Sequence, residues 1–470
     1  MITLTSYGAA EEVTGSKHLL ATDQVKVLVD CGLFQGHREE AYQKNKTMPF
    51  SPYTLAACVN THAHLDHCGT YPLLVKEGFS GDVLATPATR DICNLVLMDS
   101  AHIQAYDARF LHKEQKRRPQ SWRKVYPPLY DERDVEAAMA QFVTVAYEHP
   151  FPLAPGITAT LFDAGHILGS AQARLEVQNG GRSVAVGFTG DLGRRNRPIL
   201  KDPRTLPPVD YLVCESTYGD RLHDPMDRTE EELAEVVRET AAKGGRVIIP
   251  AFAIERTQEL VYILHRLHDQ GRIPSVPVFV DSPMAVSATA IFRTHSECFD
   301  KETVREFLDR GEGPFTFDAL QYVTDAEASK KLNDLRVPCI IIATSGMCEA
   351  GRILHHLVHG VDDPRNTILV VGFMAANTLG RALADKRPEV RIFGQRHPVR
   401  ARVKILNAFS AHADYREIGD YVKGLDADRL KAVFLVHGEP SAQSNLRSHL
   451  LSLGVPKVEI LKGGEPVWLA

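Results

Sequence analysis

Hydrophobic and polar positions follow a strand-rich pattern in the first part of the chain. Short apolar runs rich in β-branched residues predict strands at 25–30, 56–61, 157–162, 171–177 and 183–188. Longer stretches with helical periodicity predict helices at 71–78, 88–113 and 131–141. This mixture of strands and helices favours a layered α/β sandwich.

The pattern changes from about residue 216. Nearly continuous apolar runs predict strands at 245–250, 276–281, 337–343 and 366–372, and helices are expected between them. Such alternation is typical of a parallel sheet with both faces covered. Thr229 and Glu232 stand in capping-box positions and predict the start of the first long helix. Short strands at 403–406 and 432–436 then predict that the first fold resumes.

Charge excludes a uniformly basic nucleic-acid binder. The 470 residues include 54 Lys and Arg against 59 Asp and Glu, a net charge of -5. A basic groove on an acidic body remains compatible with this balance. Two segments are locally basic, 109–124 and 381–404. We expect the first to be a solvated face, whereas for the second a nucleic-acid contact is an equal alternative.

Cysteine usage and hydropathy predict a cytoplasmic protein without a membrane partner. The eight cysteines contain no Cys-x-x-Cys pair and no closely spaced framework, so we expect reduced thiols. The N-terminus lacks the basic stretch and apolar core of a signal peptide. No apolar run approaches the roughly 20 residues that span a bilayer.

A histidine cluster, Thr61-His-Ala-His-Leu-Asp-His67, follows a predicted strand. A single histidine is usually structural, whereas several histidines at this spacing indicate metal binding. His62 and His64 project from one side of an extended segment, and Asp66 and His67 can face a second point nearby. Imidazole and carboxylate together suit zinc. Because one cluster cannot saturate two metals, we expect further ligands from strand ends, at His166, Asp191 and His437.

These motifs resemble those of a known family. The His62–His67 cluster, His166, Asp191 and Asp30 look like the four consecutive motifs of the metallo-β-lactamase superfamily. Three further motifs resemble its β-CASP nuclease branch, namely Glu215 in Cys214-Glu-Ser-Thr-Tyr-Gly219, His412 in Phe409-Ser-Ala-His-Ala-Asp414, and His437. The resemblance spans nearly the whole chain and is greatest to the endonuclease subunit of the mRNA 3′-end processing machinery and its bacterial homologues.

The resemblance implies a fold and a division into domains. It implies a metallo-β-lactamase αββα sandwich with an inserted α/β β-CASP domain. The expected bounds are 1–215 for the first part of the sandwich, 216–404 for the β-CASP domain and 405–470 for the resumed sandwich. The change of pattern near residue 216 points to the same division.

The resemblance also implies a role for each site residue. One zinc ion would be held by His62, His64 and His166, the other by Asp66, His67 and His437, with Asp191 bridging the two. Asp30 would support the site without binding metal. His412 would donate a proton to the leaving oxygen, and Glu215 would orient it. We also expect phosphate contacts from turns and hydroxyls at Ser410, Ser345 and Thr378.

The sequence thus predicts a two-zinc ribonuclease that uses a metal-bridging hydroxide, with RNA as its partner, and leaves a homodimer open. An alternative is a hydrolase of a small ester or thioester, which would not need the 216–404 insertion, Glu215 or His412. A non-catalytic RNA-processing scaffold would have lost metal ligands, and none is missing here. A DNA nuclease of the same branch typically carries valine where this chain has His437.

Overall fold

The computed structural model describes residues 1–117, 124–223, 226–372, 374–375, 377–406 and 409–469. Arg118 and Arg123 of the first basic segment, and Ala376 of one predicted phosphate turn, lie outside this set. Contacts divide the chain into two units. The first comprises Met1–Arg195, Asp202–Leu222 and His412–Ala470, and the second comprises Asn196–Lys201 and His223–Ala411.

The first unit is built on two seven-stranded sheets. In spatial order, the strands of one sheet are Pro466–Trp468, Thr3–Gly8, Lys17–Ala21, Lys26–Val29, Ala57–Val59, Asp82–Ala85 and Phe142–Thr144. The strands of the other are Val458–Ile460, Ala432–Leu435, Tyr211–Cys214, Arg182–Phe188, Ala171–Asn179, Ile157–Asp163 and Phe151–Ala154. The last strand of the chain therefore pairs with the first, and the C-terminal segment completes both sheets.

The core of this unit lies between the two sheets. One cluster of buried side chains draws on both of them, including Leu4, Val27, Val29, Leu161, Leu175, Val186 and Phe188. Alternate residues of each strand point into this layer because side chains alternate across a strand. The predicted strands at 157–162, 171–177 and 183–188 are confirmed.

Helices cover the outer faces of this sandwich. They are Arg38–Asn45, Leu65–Cys68, Tyr71–Lys76, Pro87–Arg117, Glu132–Met139, Tyr415–Lys423 and Pro440–Ser452, with a 3-10 turn at Pro52–Thr54. Ile418 and Leu446 of the last two helices are buried with Val433 of the second sheet. On the other side, Tyr71 packs edge-on against Phe142 of the first sheet, with ring centroids 5.6 Å apart. The predicted αββα layers are therefore present.

The second unit contains a six-stranded, entirely parallel sheet. Its order is Leu320–Tyr322, Val278–Asp281, Cys339–Ala343, Arg246–Pro250, Thr367–Val371 and Arg402–Leu406. Its helices are Met226–Ala242, Arg256–Asp269, Pro283–Thr294, Lys301–Glu306, Ala326–Leu332, Arg352–Gly360 and Leu379–Ala384, with 3-10 turns at Ser296–Cys298 and Leu308–Arg310. A hairpin joins Glu389–Ile392 to Gln395–Pro398. Cys339–Ala343 and Thr367–Val371 are buried at every position, as a covered parallel sheet requires.

Two local predictions were wrong. Strand Arg402–Leu406 does not open the resumed sandwich, because it pairs in parallel with Thr367–Val371 at the edge of the second unit's sheet. Thr229 does not cap its helix, which already begins at Met226. Both errors arose because a short apolar run and a capping pattern carry no information on tertiary partners.

Candidate metal centre

The histidine cluster sits where a buried strand of the first unit ends. Strand Ala57–Val59 delivers the chain to the segment 60–64, and a single turn of helix follows at Leu65–Cys68. The Asn60 side chain donates a hydrogen bond of 3.0 Å to the His62 carbonyl and so fixes this segment. His64 occupies the N-cap position with extended backbone. The change from extended to helical backbone at His64 therefore separates the first two histidines from Asp66 and His67.

One group of ligand atoms comes from His62, His64, His166 and Asp191. These atoms all lie within 4.8 Å of one another. The Nδ1 atom of His64 is 3.1 Å from His62 Nε2 and 3.2 Å from His166 Nε2. His166 reaches the group from the loop after strand Ile157–Asp163. His64 and His166 are 102 positions apart in the sequence, and the sandwich brings their side chains together.

A second group comes from Asp66, His67 and His437, again with ligand atoms within 4.8 Å. His437 follows strand Ala432–Leu435, and its Nε2 lies 3.4 Å from Asp66 Oδ2. The backbone of His437 has a left-handed φ of 53°, which a hydrogen bond from its amide to the Ala9 carbonyl holds in place. Such strained residues are concentrated at functional sites.

Asp191 lies between the two groups. Its Oδ2 is 3.3 Å from His62 Nε2 and 3.5 Å from His166 Nε2. Its Oδ1 is 3.2 Å from His67 Nε2 and 3.5 Å from the Nδ1 of His437. Each carboxylate oxygen therefore faces a different group, which is the geometry required of a bridging ligand.

The protonation states of His62, His64, His166 and Asp191 suit metal binding, whereas at His67 the charges of Asp191 and Asp30 outweigh burial and raise the pKa of the imidazole well above its usual value. Burial and neighbouring histidines lower the pKa values of His62 and His166, and they lower that of His64 to about 3. Burial opposes ionisation of Asp191, but the surrounding histidines outweigh it and hold its pKa well below the usual range. Neutral imidazoles and an ionised carboxylate are the forms that coordinate a metal.

Unsatisfied polar atoms show that the cluster fits a metal. Among the described residues, His67 Nε2, His437 Nε2 and Asp191 Oδ1 are buried and form no hydrogen bond of acceptable geometry. Unpaired buried polar groups are costly, and three converging ones need a common partner. A cation shared among nitrogen and carboxylate donors satisfies all of them at once.

Two further side chains contact the Nδ1 atoms of His67 and His437 and so orient the two rings. Asp30 Oδ2 lies 2.7 Å from His67 Nδ1, and the Thr61 hydroxyl and amide also bind the Asp30 carboxylate. Thr217 Oγ1 lies 2.9 Å from His437 Nδ1. Each contact fixes the ring so that its Nε2 faces the cluster. Thr217 was not predicted as a site residue, although it stands two residues after Glu215 in the motif Cys214-Glu-Ser-Thr-Tyr-Gly219.

A third group joins Asp191 to Glu215 and His412. His412 Nδ1 lies 3.1 Å from Glu215 Oε1 and 3.2 Å from Oε2. Glu215 is fully buried and accepts hydrogen bonds from the amides of Leu192 and Thr217, whereas the His412 side chain is 20% exposed. Burial disfavours the charged imidazole, but Glu215 and Asp191 outweigh it and raise the pKa of His412 to about 9.

Two glycines permit the close packing of these loops. A Cβ atom on Gly32 would lie 1.6 Å from the Asp66 carbonyl oxygen, and one on Gly193 would lie 1.8 Å from the Gly165 oxygen. Any side chain there would displace the segments that carry Asp66 and His166. These glycines are therefore part of how the site is positioned.

The residues predicted to contact phosphate all lie in the second unit. The Ser345 hydroxyl accepts hydrogen bonds from the amides of Glu349 and Ala350, and the Thr378 hydroxyl caps helix Leu379–Ala384. The Gly380 amide bonds to the Met347 carbonyl and joins the two loops. Ser410 is 7% exposed. Contact of these residues with phosphate stays a prediction.

The basic segment 381–404 is partly neutralised. Arg396 pairs with Glu389, Arg402 with Glu239, and Lys404 with Glu232. Contact of this segment with nucleic acid stays a prediction, with a solvated face as the alternative.

Comparison with known families agrees with this site. The chain matches the metallo-beta-lactamase superfamily over residues 15–251, the Beta-Casp domain over 257–383 and the Zn-dependent metallo-hydrolase RNA specificity domain over 396–460. The chain belongs to the β-CASP branch of the metallo-β-lactamase superfamily. The predicted family and fold are confirmed, and the chain is a metallo-hydrolase with a metal cofactor.

Curated relatives cover nearly all of the chain. It is 38% identical over 461 residues to Ribonuclease TTHA0252 from Thermus thermophilus, which covers 98% of each sequence. It is 33% identical over 457 residues to Transcription termination factor FttA from Methanosarcina mazei, which covers 95% of this chain and 68% of the relative. Nuclease is the enzyme class that the family and the relative from Thermus thermophilus support.

A solved structure shows the same fold. A crystal structure of a protein of unknown function from Enterococcus faecalis V583 matches with a TM-score of 0.56 and 12% identity over 99% of both chains. All eight cysteines are free and buried. Among the described residues, no helix has the length and apolar character needed to cross a membrane.

Proposed function

We propose that this chain is a ribonuclease that hydrolyses RNA phosphodiester bonds with two zinc ions. The observation that carries the proposal is the placement of Asp191, whose two carboxylate oxygens face two separate groups of ligand atoms. The relative from Thermus thermophilus is named a ribonuclease, and one matched domain is described as an RNA specificity domain. RNA is therefore the substrate class that we infer.

In this proposal the first and the second group of ligand atoms would each hold one ion. His62, His64 and His166 hold the first, Asp66, His67 and His437 hold the second, and Asp191 contacts both. When bound, the ion pair supplies an activated water and a Lewis acid for the phosphodiester. Asp30 holds the His67 ring in the tautomer whose Nε2 lone pair is available to the metal.

His412 supplies the proton that the leaving oxygen requires. Its pKa of about 9 keeps it protonated at neutral pH. Glu215 binds Nδ1, so the proton to be transferred is on Nε2. Because backbone amides fix the Glu215 carboxylate, the ring orientation is set before substrate arrives.

Specific features disfavour the rival activities. A small thioester hydrolase would need neither the pair of Glu215 and His412 nor the second unit with its six-stranded sheet. His437 is among the ligand atoms of the second group, whereas the DNA nucleases of this branch typically carry valine at the matching position. These features support RNA hydrolysis over the alternatives.

Three finer statements belong to the same proposal. The domain division at 1–215, 216–404 and 405–470 stays a proposal, and the contact units assign 216–222 to the first unit and 405–411 to the second. We infer a cytoplasmic location from eight free, buried thiols. A homodimer is left open.

The test compares substrates and one matched pair of variants. Purified protein is incubated with end-labelled RNA, DNA of the same sequence and a small thioester. We expect cleavage of RNA alone, its loss in the presence of a chelator and its recovery with zinc. Asp191→Ala is expected to abolish cleavage, whereas His149→Ala, a change at an exposed histidine of the same unit, is expected to preserve it. Preferred hydrolysis of DNA or thioester would overturn the proposal.

A further inference from the structure

An exposed apolar stripe runs along the long helix of the first unit. Ile103, Tyr106 and Phe110 of helix Pro87–Arg117 are 54%, 63% and 51% exposed. They recur at helical spacing and share one face. The opposite face of the helix packs on the core of the unit, because Leu97, Ala101 and Leu111 are buried. The stripe is therefore not part of the core of this unit.

The two aromatic side chains of the stripe are arranged in parallel. The ring planes of Tyr106 and Phe110 are inclined by 14°, and their centroids are 6.4 Å apart. Exposed apolar side chains that form a contiguous patch, unlike singly scattered ones, mark interaction sites. The two rings offer flat π-faces, which stack on nucleic-acid bases whatever the base sequence.

Cations flank these rings. Arg109, Lys113 and Lys116 are exposed on the same helix, and Lys113 lies one turn from Phe110 and two turns from Tyr106. The neighbouring acid, Asp107, is balanced by Arg38 at 3.8 Å. Residues 103–116 carry three Lys and Arg against Asp107 and Glu114, so the local charge is positive, although that of the whole chain is -5.

We propose that this surface, the Tyr106 face, is a second binding site for single-stranded RNA, formed by Ile103, Tyr106, Phe110, Arg109 and Lys113. None of these residues belongs to the metal-binding groups of the described chain. Bases stack on the two rings, and Arg109 and Lys113 contact the phosphates between them. We favour RNA over a protein partner because exposed cations stand beside the rings, where they match a phosphate backbone, although aromatic side chains and arginine also occur in protein interfaces. The proposal rests on the ribonuclease function and adds a site that holds RNA outside the metal centre.

The site has a functional consequence for substrate length. An RNA that reaches both the metal centre and the Tyr106 face gains affinity from two attachments, whereas a short RNA gains only one. Loss of the Tyr106 face should therefore raise KM for long RNA, leave kcat unchanged and leave cleavage of short RNA unaffected.

The test uses variants that separate stacking from general hydrophobicity. Tyr106→Ala with Phe110→Ala removes both rings, Tyr106→Leu with Phe110→Leu keeps apolar bulk, and Tyr106→Phe keeps the π-face. Tyr53→Ala is the control, because Tyr53 is 75% exposed in the same unit. Fluorescence anisotropy in the presence of a chelator measures binding to oligouridylates of about 30 and about 6 nucleotides, lengths above and below the usual single-strand site sizes.

We expect both double variants to bind the long oligomer about 10-fold or more weakly, since stacking contributes roughly 1–3 kcal/mol per base. Tyr106→Phe and Tyr53→Ala should bind it like the wild type. Equal binding by all variants, or a loss of self-association with unchanged RNA binding, would overturn the proposal. Wild-type protein that binds RNA but cleaves none would contradict the ribonuclease function instead, because binding is measured without cleavage.

Discussion

The hydroxyl of Thr217 lies 2.9 Å from Nδ1 of His437, the histidine that joins Asp66 and His67 in the second group of ligands. The same hydroxyl is 3.2 Å from the His437 carbonyl oxygen. The Thr217 side chain thus holds both the ring and the backbone of His437. Because Glu215 lies two residues earlier, one short segment positions both His437 and His412.

Thr217→Val keeps the shape of the side chain and removes its hydroxyl. We expect the affinity for the second metal ion, or the activity at limiting zinc, to fall about 10–100-fold, as is usual when a residue that orients a ligand is lost. Thr217→Ser should behave like the wild type. Competition with a chelator measures the affinity, and a Val variant that retains wild-type affinity would show that the contact has no role.

Glu215→Gln should shift the pH dependence of cleavage. The Glu215 carboxylate helps to raise the pKa of His412 to about 9, and a proton donor is lost as the pH rises through its pKa. Without this charge the pKa falls, so activity should decline at a lower pH than in the wild type. A kcat profile measured across neutral to alkaline pH tests this. An unchanged alkaline limb would remove His412 from the role of proton donor.

Neutralising Arg396, Arg400 and Arg402 together tests the basic segment 381–404. If these side chains contact RNA, binding should weaken across sequences, and its dependence on salt should become less steep. Arg396 and Arg402 pair with Glu389 and Glu239, which reduces the charge that they offer. The slope of log Kd against log salt decides the question, because an equal slope in variant and wild type identifies a solvated face.

Asp281 in the second unit should make the free energy of unfolding depend on pH in the acidic range. Burial opposes its ionisation, but hydrogen bonds from His356, Ser329 and Arg352 outweigh burial and hold its pKa below the usual value. Its stabilisation is therefore complete above its unfolded pKa of about 4 and is lost as pH falls through the lower folded value.

Asp281→Ala leaves His356 and Arg352 without their buried partner and should cost about 3–5 kcal/mol. Urea unfolding at neutral and acidic pH measures this cost, which should shrink as the medium becomes acidic. The exposed Asp385, paired with Arg381 at the surface, supplies a control in Asp385→Ala, for which little change is expected. Equal unfolding free energies for Asp281→Ala and the wild type would contradict the account.

Local patterns predicted the parts of the fold that are set by periodicity. The helix Pro87–Arg117, predicted at 88–113, and the predicted strands of both units appear within a few residues of their predicted positions. Tertiary pairing was less predictable. Strand Arg402–Leu406 was assigned to the wrong sheet because its apolar run is compatible with either partner.

The ligand motifs were visible because their chemistry is confined to short segments. His62, His64, Asp66 and His67 follow one strand, and their ligand atoms fall into two groups. Thr217 was not predicted because a threonine hydroxyl has many possible partners. The Tyr106 face was missed because exposure of Tyr106 and Phe110 depends on which side of the helix packs on the core.

Elemental analysis of zinc in the wild-type protein, His412→Ala and His437→Ala, after removal of loosely bound metal, is the sharpest test of the proposed two-ion site. We expect about two ions per chain in the wild type and in His412→Ala, because the proposal assigns His412, which lies 3.1 Å from Glu215, to proton transfer and not to metal binding. It predicts fewer in His437→Ala, which removes one ligand of the second group. Wild-type protein without metal, or loss of zinc from His412→Ala but not from His437→Ala, would contradict it.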